Sequence, residues 1–135
     1  MVDDKIYDIT SEISDADIVI DGKGGYLLPG MIDIHTHGAV GVHFATSNDH
    51  RKALKWFASK GVTTVIPSIA TRSIDDTMIS VDNILGNVGY NGGAEIGGIH
   101  FEGPFISDKK RGAMLPIHVD CNIDNFNSIY SRWFI

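Results

Sequence analysis

Three side chains in this sequence have the types and the spacing of a metal site. His35 and His37 are separated by one residue, and in a β-strand such residues project from the same face, so two imidazoles can converge on one ion. Imidazole suits Zn, Fe, Ni and Cu, and a carboxylate from a neighbouring strand completes such a site. Glu102 ends a later apolar run and offers that carboxylate. A His-x-His pair alone is more often an ordinary polar pair, so the agreement of the two motifs carries the prediction.

The segments that hold these residues predict strands. Residues 31–38 are β-branched, mostly apolar and end at glycine, which indicates a buried strand. Residues 62–66 predict a second strand, and residues 96–101 predict a third that ends at Glu102. Because these strands alternate with helices, the pattern favours a parallel α/β sheet, whose active sites lie at the carboxyl ends of the strands. Both chemical motifs lie at such ends.

Two amphipathic helices are predicted between the strands. The first is capped by Ser47 or Asn48 and ends at Gly61, and the second begins at Ser73, which forms a capping box with Asp76. Apolar residues at helical spacing give each helix one face for the core. The predicted core residues are Ala53, Leu54, Phe57 and Ala58 in the first helix and Ile74, Met78, Val81, Leu85 and Val88 in the second.

The two ends of the chain have weaker patterns. Residues 6–20 are polar with short alternation and lead into a glycine-rich turn at residues 21–25, so two small strands around a turn are predicted. The tail from Asn122 to Ile135 contains several apolar and aromatic side chains and predicts a further helix or strand.

Composition limits the classes of function. The chain has 135 residues, with 17 acidic against 11 basic side chains and a net charge of −6, which disfavours binding to nucleic acid or to an anionic membrane. The single cysteine, Cys121, cannot form an internal disulfide, and we expect a reducing compartment. The sequence lacks a signal-peptide pattern and any apolar run of about 18 residues, so it predicts a cytoplasmic protein.

The motifs resemble those of a known enzyme family. Residues 29–38, with Pro29-Gly30 before the strand and Gly38 after it, resemble the first-strand motif of the amidohydrolase superfamily. Within that superfamily, the Glu-Gly-Pro-Phe run at residues 102–105, followed by residues 109–113, is similar to the signature of the N-acetylglucosamine-6-phosphate deacetylases. Residues 61–64, leading into Pro67 and Thr71, fit the same family, and the resemblance covers about residues 18–120.

The resemblance implies a metal-dependent (β/α)₈ barrel with a small β-sandwich that removes acetate from N-acetylglucosamine 6-phosphate. A complete barrel needs about 200 to 250 residues. We therefore expect a partial barrel of three β/α units in residues 29–135, with residues 1–28 forming part of the β-sandwich. The expected parent enzyme is a homodimer that acts on a small amino-sugar phosphate, and the isolated chain is expected to be inactive.

The resemblance also implies roles for particular residues. Glu102 becomes the principal metal ligand, and His35 with His37 gives capacity for a second ion. The expected metal is Zn, with Fe, Mn or Co as alternatives. Ala113 and Met114 align with positions that contact the sugar, although Met114 stands where many members carry a polar residue.

No catalytic residue is expected within the chain itself. In the family that the motifs resemble, two further histidine ligands and the catalytic aspartate lie on later strands of the barrel. These strands would follow Ile135, the last residue of this sequence. The resemblance therefore implies that the aspartate lies beyond Ile135.

The remaining polar residues have weaker interpretations. His100 shares the strand face of Glu102. Three roles stay open for it: a metal ligand, a residue beside the ligands, or a barrel-core contact. His43 and His50 are predicted to be exposed loop or helix-start residues. His118 follows the third strand too closely to replace a missing ligand, and the basic residues 109–111 are predicted to be solvated.

Two alternative functions stay open. Another amidohydrolase that cleaves a cyclic or linear amide shares the His-x-His strand, but many such relatives have a carboxylated lysine where Glu102 stands. The second alternative is a non-catalytic metal-binding or assembly module that completes its sheet by oligomerisation. Size-exclusion chromatography would discriminate it, because a discrete dimer favours a module.

Overall fold

A computed structural model describes residues 5–12 and 15–131 of the chain. Strands and helices alternate along most of this part, as the sequence predicts for an α/β fold. The elements in chain order are β1 (Met31–Thr36), β2 (Gly38–Ala39), β3 (Val42–His43), α1 (Arg51–Ser59), β4 (Val62–Ala70), α2 (Ile74–Leu85), β5 (Glu95–Ile96), β6 (His100–Glu102) and α3 (Ile123–Tyr130).

The main sheet is parallel and is centred on β4. Strand β1 pairs with one side of β4, and β5 and β6 pair with it on the other side. Thr36 at the end of β1 lies opposite Pro67, and Glu102 at the end of β6 lies opposite Ala70. The predicted parallel sheet is confirmed, and the carboxyl ends of β1 and β6 therefore lie at one edge on either side of β4.

The predicted third strand is divided into two. β5 ends at Ile96 and β6 begins at His100, and both pair with β4. A Cβ atom added at Gly97 would lie 2.7 Å from the Thr64 side chain, so this glycine allows a close approach of the backbone to β4. The sequence predicted one continuous strand over residues 96–101, and the Gly97-Gly98 pair lies where the observed strand divides.

A short hairpin, β2–β3, follows the His-x-His strand and was not predicted. Its turn has Val40 at φ 49° and Gly41 at φ 82°, which are both left-handed conformations. Valine rarely adopts positive φ, so the sequence carries a weak turn signal here. The Lys52 ammonium donates to the Val40 carbonyl oxygen at 2.9 Å and holds this turn against α1.

The helices pack their apolar faces against the sheet. Ala53, Leu54 and Phe57 of α1 are buried as predicted, whereas Ala58 is exposed. In α2 Val81 is buried as predicted. Val88 is exposed because it lies after the end of the helix. The core cluster consists of Phe44, Ala45, Ala53, Leu54, Phe57, Val65, Ile69, Val81, Ile84, Ala94 and Ile96.

The N-terminal caps predicted for the two helices differ in outcome. The predicted cap of α2 is confirmed, because Ser73 Oγ accepts a hydrogen bond from the Asp76 backbone N–H at 3.1 Å. The predicted cap of α1 is wrong, since the helix begins after His50, whose side chain makes no capping bond. Ser47 Oγ instead accepts from the His43 backbone N–H at 3.1 Å, within the turn that leads into the helix.

The tail of the chain contains a helix, which is one of the two elements predicted there. Helix α3 begins after Asn122, whose Oδ1 accepts a hydrogen bond from the Asn125 backbone N–H at 2.9 Å. Within the helix the rings of Phe126 and Tyr130 stack with centroids 4.2 Å apart. The rest of the predicted element, residues 132–135 with the final residue Ile135, lies outside the described residues.

The segment before β1 contains the predicted turn but not the predicted strands. The Gly25 N–H donates to the Gly22 carbonyl at 2.8 Å, yet residues 15–30 form no strand, and part of the predicted segment, residues 13–14, lies outside the described residues. The apolar side chains here are exposed and have no sheet face to pack on, and an isolated hairpin is marginal without one.

β1 itself forms as predicted, but the prediction that it is buried is wrong. Ile34 is 70% exposed, and Met31 and Ile32 are exposed as well. Within the described residues β1 pairs only with β4, so one edge and both faces of the strand stay largely open. No helix in the described part of the chain is long and apolar enough to span a membrane.

Candidate metal centre

The carboxyl edge of the sheet brings His35, His37 and Glu102 together. Glu102 Oε2 lies 3.4 Å from His35 Nε2 and 3.2 Å from His37 Nε2. One ligand atom from each side chain lies within 4.8 Å of the other two. The three side chains are partly exposed, which leaves solvent access to the cluster. The sequence predicted this meeting of β1 and β6 from strand order alone.

The ring of His37 is oriented for ligation. Its Nδ1 lies 3.1 Å from the Ser68 carbonyl oxygen, which can only accept a hydrogen bond, so Nδ1 carries the proton. In the neutral ring Nε2 then has a free lone pair, and this is the atom beside Glu102. A backbone carbonyl that holds the second ring nitrogen is typical of metal-binding histidines. Two imidazoles and a carboxylate are donors that fit a borderline divalent cation.

Glycine follows each of the two motifs because its backbone lies very close to a neighbouring segment there. Gly38 has φ 137°, and an added Cβ atom would lie 2.0 Å from the Val42 carbonyl oxygen. Gly103 has φ 124°, and its added Cβ atom would lie 2.2 Å from Thr71 Oγ1. Any other side chain would have to displace these neighbours, so the two glycines fix the path of the backbone directly after His37 and Glu102.

Two further histidines lie beside the cluster. His100 is outside the three-residue group, but its ring packs edge to face on His35 with centroids 4.8 Å apart. The His43 ring stacks on His37 at 6.0 Å and is exposed, as predicted. Partial burial of the ring lowers the pKa of His43, and electrostatic interactions with His37 and with Arg72 lower it further. Because its ring packs on His35 and lies outside the three-residue group, His100 fits best the alternative of a residue beside the ligands.

Met114 is connected to the backbone of Glu102 by way of Thr71. Thr71 Oγ1 is 3.1 Å from both the Glu102 carbonyl oxygen and Met114 Sδ. A cavity of about 330 Å³ opens there, and Ala113 and Met114 both line it together with His43. The cavity thus lies between the β2–β3 hairpin and the loop that follows β6.

The prediction that His50 is exposed is wrong. Its side chain is 0% exposed, and its Nε2–H donates to the Ser47 carbonyl at 2.8 Å. The His50 backbone N–H donates to Asn87 Oδ1 at 3.2 Å, which holds the start of α1 against the end of α2. Burial lowers the pKa of His50. Because the Asn87 contact is 37 residues distant in sequence, local patterns could not reveal it.

His118 is separate from the cluster, as expected. Its ring lies 3.1 Å from Asp120 and 3.8 Å from Asp108 on the surface. Of the basic residues 109–111 that were predicted to be solvated, Lys109 and Lys110 are exposed, whereas Arg111 is partly buried and donates a hydrogen bond to the Met114 carbonyl oxygen.

The expected catalytic aspartate has no counterpart at the cluster. Among the described residues, the group that could hold a metal ion consists of His35, His37 and Glu102, and it contains no aspartate. The described residues end at Ser131, and Ile135, beyond which the aspartate is expected, lies outside them. The placement of the aspartate beyond Ile135 therefore stays a prediction.

The relatives and the solved structures that match this chain agree with one another. No family model matches the chain. A relative from Danio rerio is 35% identical over 106 residues, and this match covers 75% of the chain and 26% of the relative. A relative from Caenorhabditis elegans is 36% identical over 107 residues, and one from Homo sapiens is 34% identical over 104 residues. All three are named N-acetylglucosamine-6-phosphate deacetylase.

Solved structures give the same result. A mutant of the Mycobacterium smegmatis deacetylase, in complex with N-acetyl-D-glucosamine-6-phosphate, matches with a TM-score of 0.67 and 28% identity, covering 76% of this chain and 27% of that one. The Thermotoga maritima enzyme matches with a TM-score of 0.67 and 27% identity, covering 75% and 28%. The chain thus spans about a quarter of the length of the proteins it matches. The chain is thus similar in sequence and in fold to one segment of proteins named N-acetylglucosamine-6-phosphate deacetylase.

Proposed function

We propose that this chain provides the metal centre of an N-acetylglucosamine-6-phosphate deacetylase, which hydrolyses its substrate to glucosamine 6-phosphate and acetate. The observation that carries the proposal is the convergence of His35, His37 and Glu102 at the carboxyl edge of the sheet. The names of the relatives and of the structural neighbours support the same activity. The proposal includes a (β/α)₈ barrel, of which residues 29–135 form three units. It also includes a β-sandwich, to which residues 1–28 contribute.

Glu102 is the proposed principal ligand, and His35 and His37 share that ion or hold a second one. These three residues would hold a divalent metal, proposed to be Zn with Fe, Mn or Co as alternatives, and when bound it would supply Lewis-acid chemistry toward a water and the amide carbonyl. The hydrogen bond to the Ser68 carbonyl favours the neutral tautomer of His37 whose Nε2 lone pair faces this centre. The Thr71 hydroxyl, bonded to the Glu102 carbonyl, steadies the end of β6.

The cavity beside the centre is the proposed sugar site. Ala113 and Met114 line it, and Thr71 connects Met114 to the backbone of Glu102. The thioether of Met114 is only a weak hydrogen-bond acceptor, so this side chain contributes apolar contact to the sugar. Proton transfer to the leaving amine is assigned to an aspartate beyond Ile135. The isolated chain is therefore expected to bind metal without turning over substrate.

Metal binding is the first test of the proposal. Isothermal titration with Zn²⁺ should show saturable binding to the chain, and Glu102→Gln should weaken it by at least about tenfold. The matched control is Glu95→Gln, because Glu95 is an exposed glutamate of the same sheet, in β5. Equal binding by the chain and by Glu102→Gln would overturn the proposed centre.

Activity is tested in a chimera. The matching segment of the Mycobacterium smegmatis enzyme is replaced by this chain, and acetate release from N-acetylglucosamine 6-phosphate is measured with Zn²⁺. We expect release that is lost in Glu102→Ala. A folded, metal-loaded chimera without activity would contradict the deacetylase and favour the non-catalytic module. Release by the isolated chain, lost in Glu102→Ala, would contradict the assignment of the aspartate to a segment beyond Ile135.

A further inference from the structure

Ser68 connects the two histidines of the cluster through different atoms. It is 0% exposed and lies in β4, directly opposite His100 of β6. Its carbonyl oxygen accepts the Nδ1–H of His37 at 3.1 Å, and its hydroxyl oxygen hydrogen-bonds with Nδ1 of His100 at 2.9 Å. The His100 ring in turn packs on the ring of His35. One buried residue therefore contacts His37 directly and reaches His35 through a neighbour.

The chain contains a second buried serine that shows what an ordinary structural hydroxyl does. Ser80 in α2 is also 0% exposed, and its Oγ lies 2.7 Å from the Ala45 carbonyl and 2.8 Å from the Asp76 carbonyl. Ser80 thus satisfies its hydroxyl on the backbone. The Ser68 hydroxyl is instead directed to a side chain at the carboxyl edge of the sheet, which is the position expected of a group that orients ligands.

We propose that Ser68 is a positioning residue of the metal centre: its carbonyl fixes the orientation and the tautomer of the His37 ring, and its hydroxyl fixes the His35 ring by holding His100 against it. This inference rests on the proposed function, since it concerns the same centre. A ring whose torsions are already fixed loses less conformational entropy when an ion binds, so the ion binds more tightly. Loss of the hydroxyl alone should therefore weaken metal binding while the fold and the His37 hydrogen bond remain.

The first test uses the metal-free chain. Long-range ¹H–¹⁵N NMR of the imidazole rings reports which nitrogen of each ring is protonated and whether its environment changes. In Ser68→Ala we expect the ring signals of His100 and His35 to shift, whereas His37 keeps its proton on Nδ1 because the carbonyl is retained. Ser80→Ala should leave all three rings unchanged. Unshifted His100 and His35 signals in Ser68→Ala would overturn the proposal.

The second test measures affinity for Co²⁺ from its visible absorption. Ser68→Ala should bind about 10- to 100-fold more weakly than the unmodified chain. Ser68→Thr keeps a hydroxyl at this position and should bind nearly as tightly as the unmodified chain. Ser80→Ala should bind normally. An equal loss in Ser68→Ala and Ser80→Ala would show a general effect on packing and would contradict a positioning role.

Two further outcomes keep the proposals distinguishable. If the unmodified chain does not bind Co²⁺, the proposed metal centre fails, and the ring signals still decide whether Ser68 orients the imidazoles. If circular dichroism shows that Ser68→Ala is unfolded, His100→Phe takes its place, because it keeps a ring beside His35 but removes the hydrogen bond. We expect the His35 signals to shift and Co²⁺ affinity to fall in this variant, and unchanged values would overturn the proposal.

Discussion

A single carboxylate oxygen lies beside both imidazoles of the candidate centre. Glu102 Oε2 is within 3.4 Å of each Nε2 atom, whereas the two rings meet only edge to face with centroids 5.5 Å apart. The carboxylate thus stands between the two nitrogens, so its exact position decides whether all three donors can share an ion. Small movements of the backbone at the end of β6 should matter more than changes elsewhere on this edge.

The substitution Gly103→Ala tests this at the residue scale. The added methyl would lie 2.2 Å from Thr71 Oγ1 and would require alanine at φ 124°, so the end of β6 must move. We expect a loss of about 1 to 3 kcal/mol in the free energy of unfolding and weaker Zn²⁺ binding. Urea denaturation and calorimetric titration measure the two effects. Gly89→Ala is a suitable control, since φ is 79° there but no atom lies within 4 Å of the added methyl.

His50 should make the stability of the chain depend on pH. Because burial lowers its folded pKa, the unfolded chain takes up a proton near the ordinary value of 6.5, while the folded chain does so only at lower pH. The stabilisation by neutral His50 is therefore complete above about pH 6.5 and is lost as the pH falls below it, by at most about 1.4 kcal/mol per pH unit. Urea denaturation at several pH values should show a steeper acid loss for the unmodified chain than for His50→Gln. Identical slopes would contradict the effect.

At the scale of elements, α2 depends on its N-terminal cap. Ser73 Oγ accepts from the Asp76 backbone N–H, and its hydroxyl donates to the Asp76 carboxylate at 2.8 Å. Ser73→Ala should lower the free energy of unfolding by about 1 kcal/mol, with a range of about 0.5 to 2. Ser59→Ala is the control, because this exposed serine of α1 bonds only a carbonyl of its own helix. The proposal of a stabilising cap is wrong if both variants have the same urea midpoint.

The elements also show which features could be predicted from sequence. The cap of α2 was predictable because its partners are three residues apart, and the meeting of the two motifs was predictable because parallel strands end at one edge. The start of α1 depends on the distant contact between His50 and Asn87, and the β2–β3 turn uses a valine at positive φ. Such features arise from tertiary packing, so local patterns could not predict them.

Ser68 illustrates the same limit within the candidate centre. In the sequence Ser68 follows Pro67, beyond the strand predicted for residues 62–66, and no motif relates it to the histidines, whereas the observed strand β4 extends to Ala70. Its proposed role in orienting the imidazoles depends on the position of β4 between β1 and β6, which places Ser68 opposite His100. Residues that orient ligands from a central strand are therefore harder to predict from sequence than the ligands themselves.

At the scale of the whole molecule, β1 is a strand with an open edge in the described part of the chain. The strand has one neighbour among the described residues, and Ile32 and Ile34 are exposed on it. An exposed apolar edge strand is a template for pairing with another chain. The 135-residue chain should therefore associate as its concentration rises, which sedimentation velocity can measure.

The variant Ile34→Lys tests whether β1 is the surface that associates. A charge on an edge strand opposes pairing, so this variant should stay monomeric at concentrations where the unmodified chain associates. Ile79→Lys is the matched control, because Ile79 is an exposed isoleucine on α2, away from the edge. Association that persists in Ile34→Lys would place the contact elsewhere. A discrete dimer that Ile34→Lys abolishes would favour the assembly module, since a module must complete its sheet in a defined way. Heterogeneous aggregation that the same substitution suppresses would favour a segment whose sheet is completed by the rest of a deacetylase.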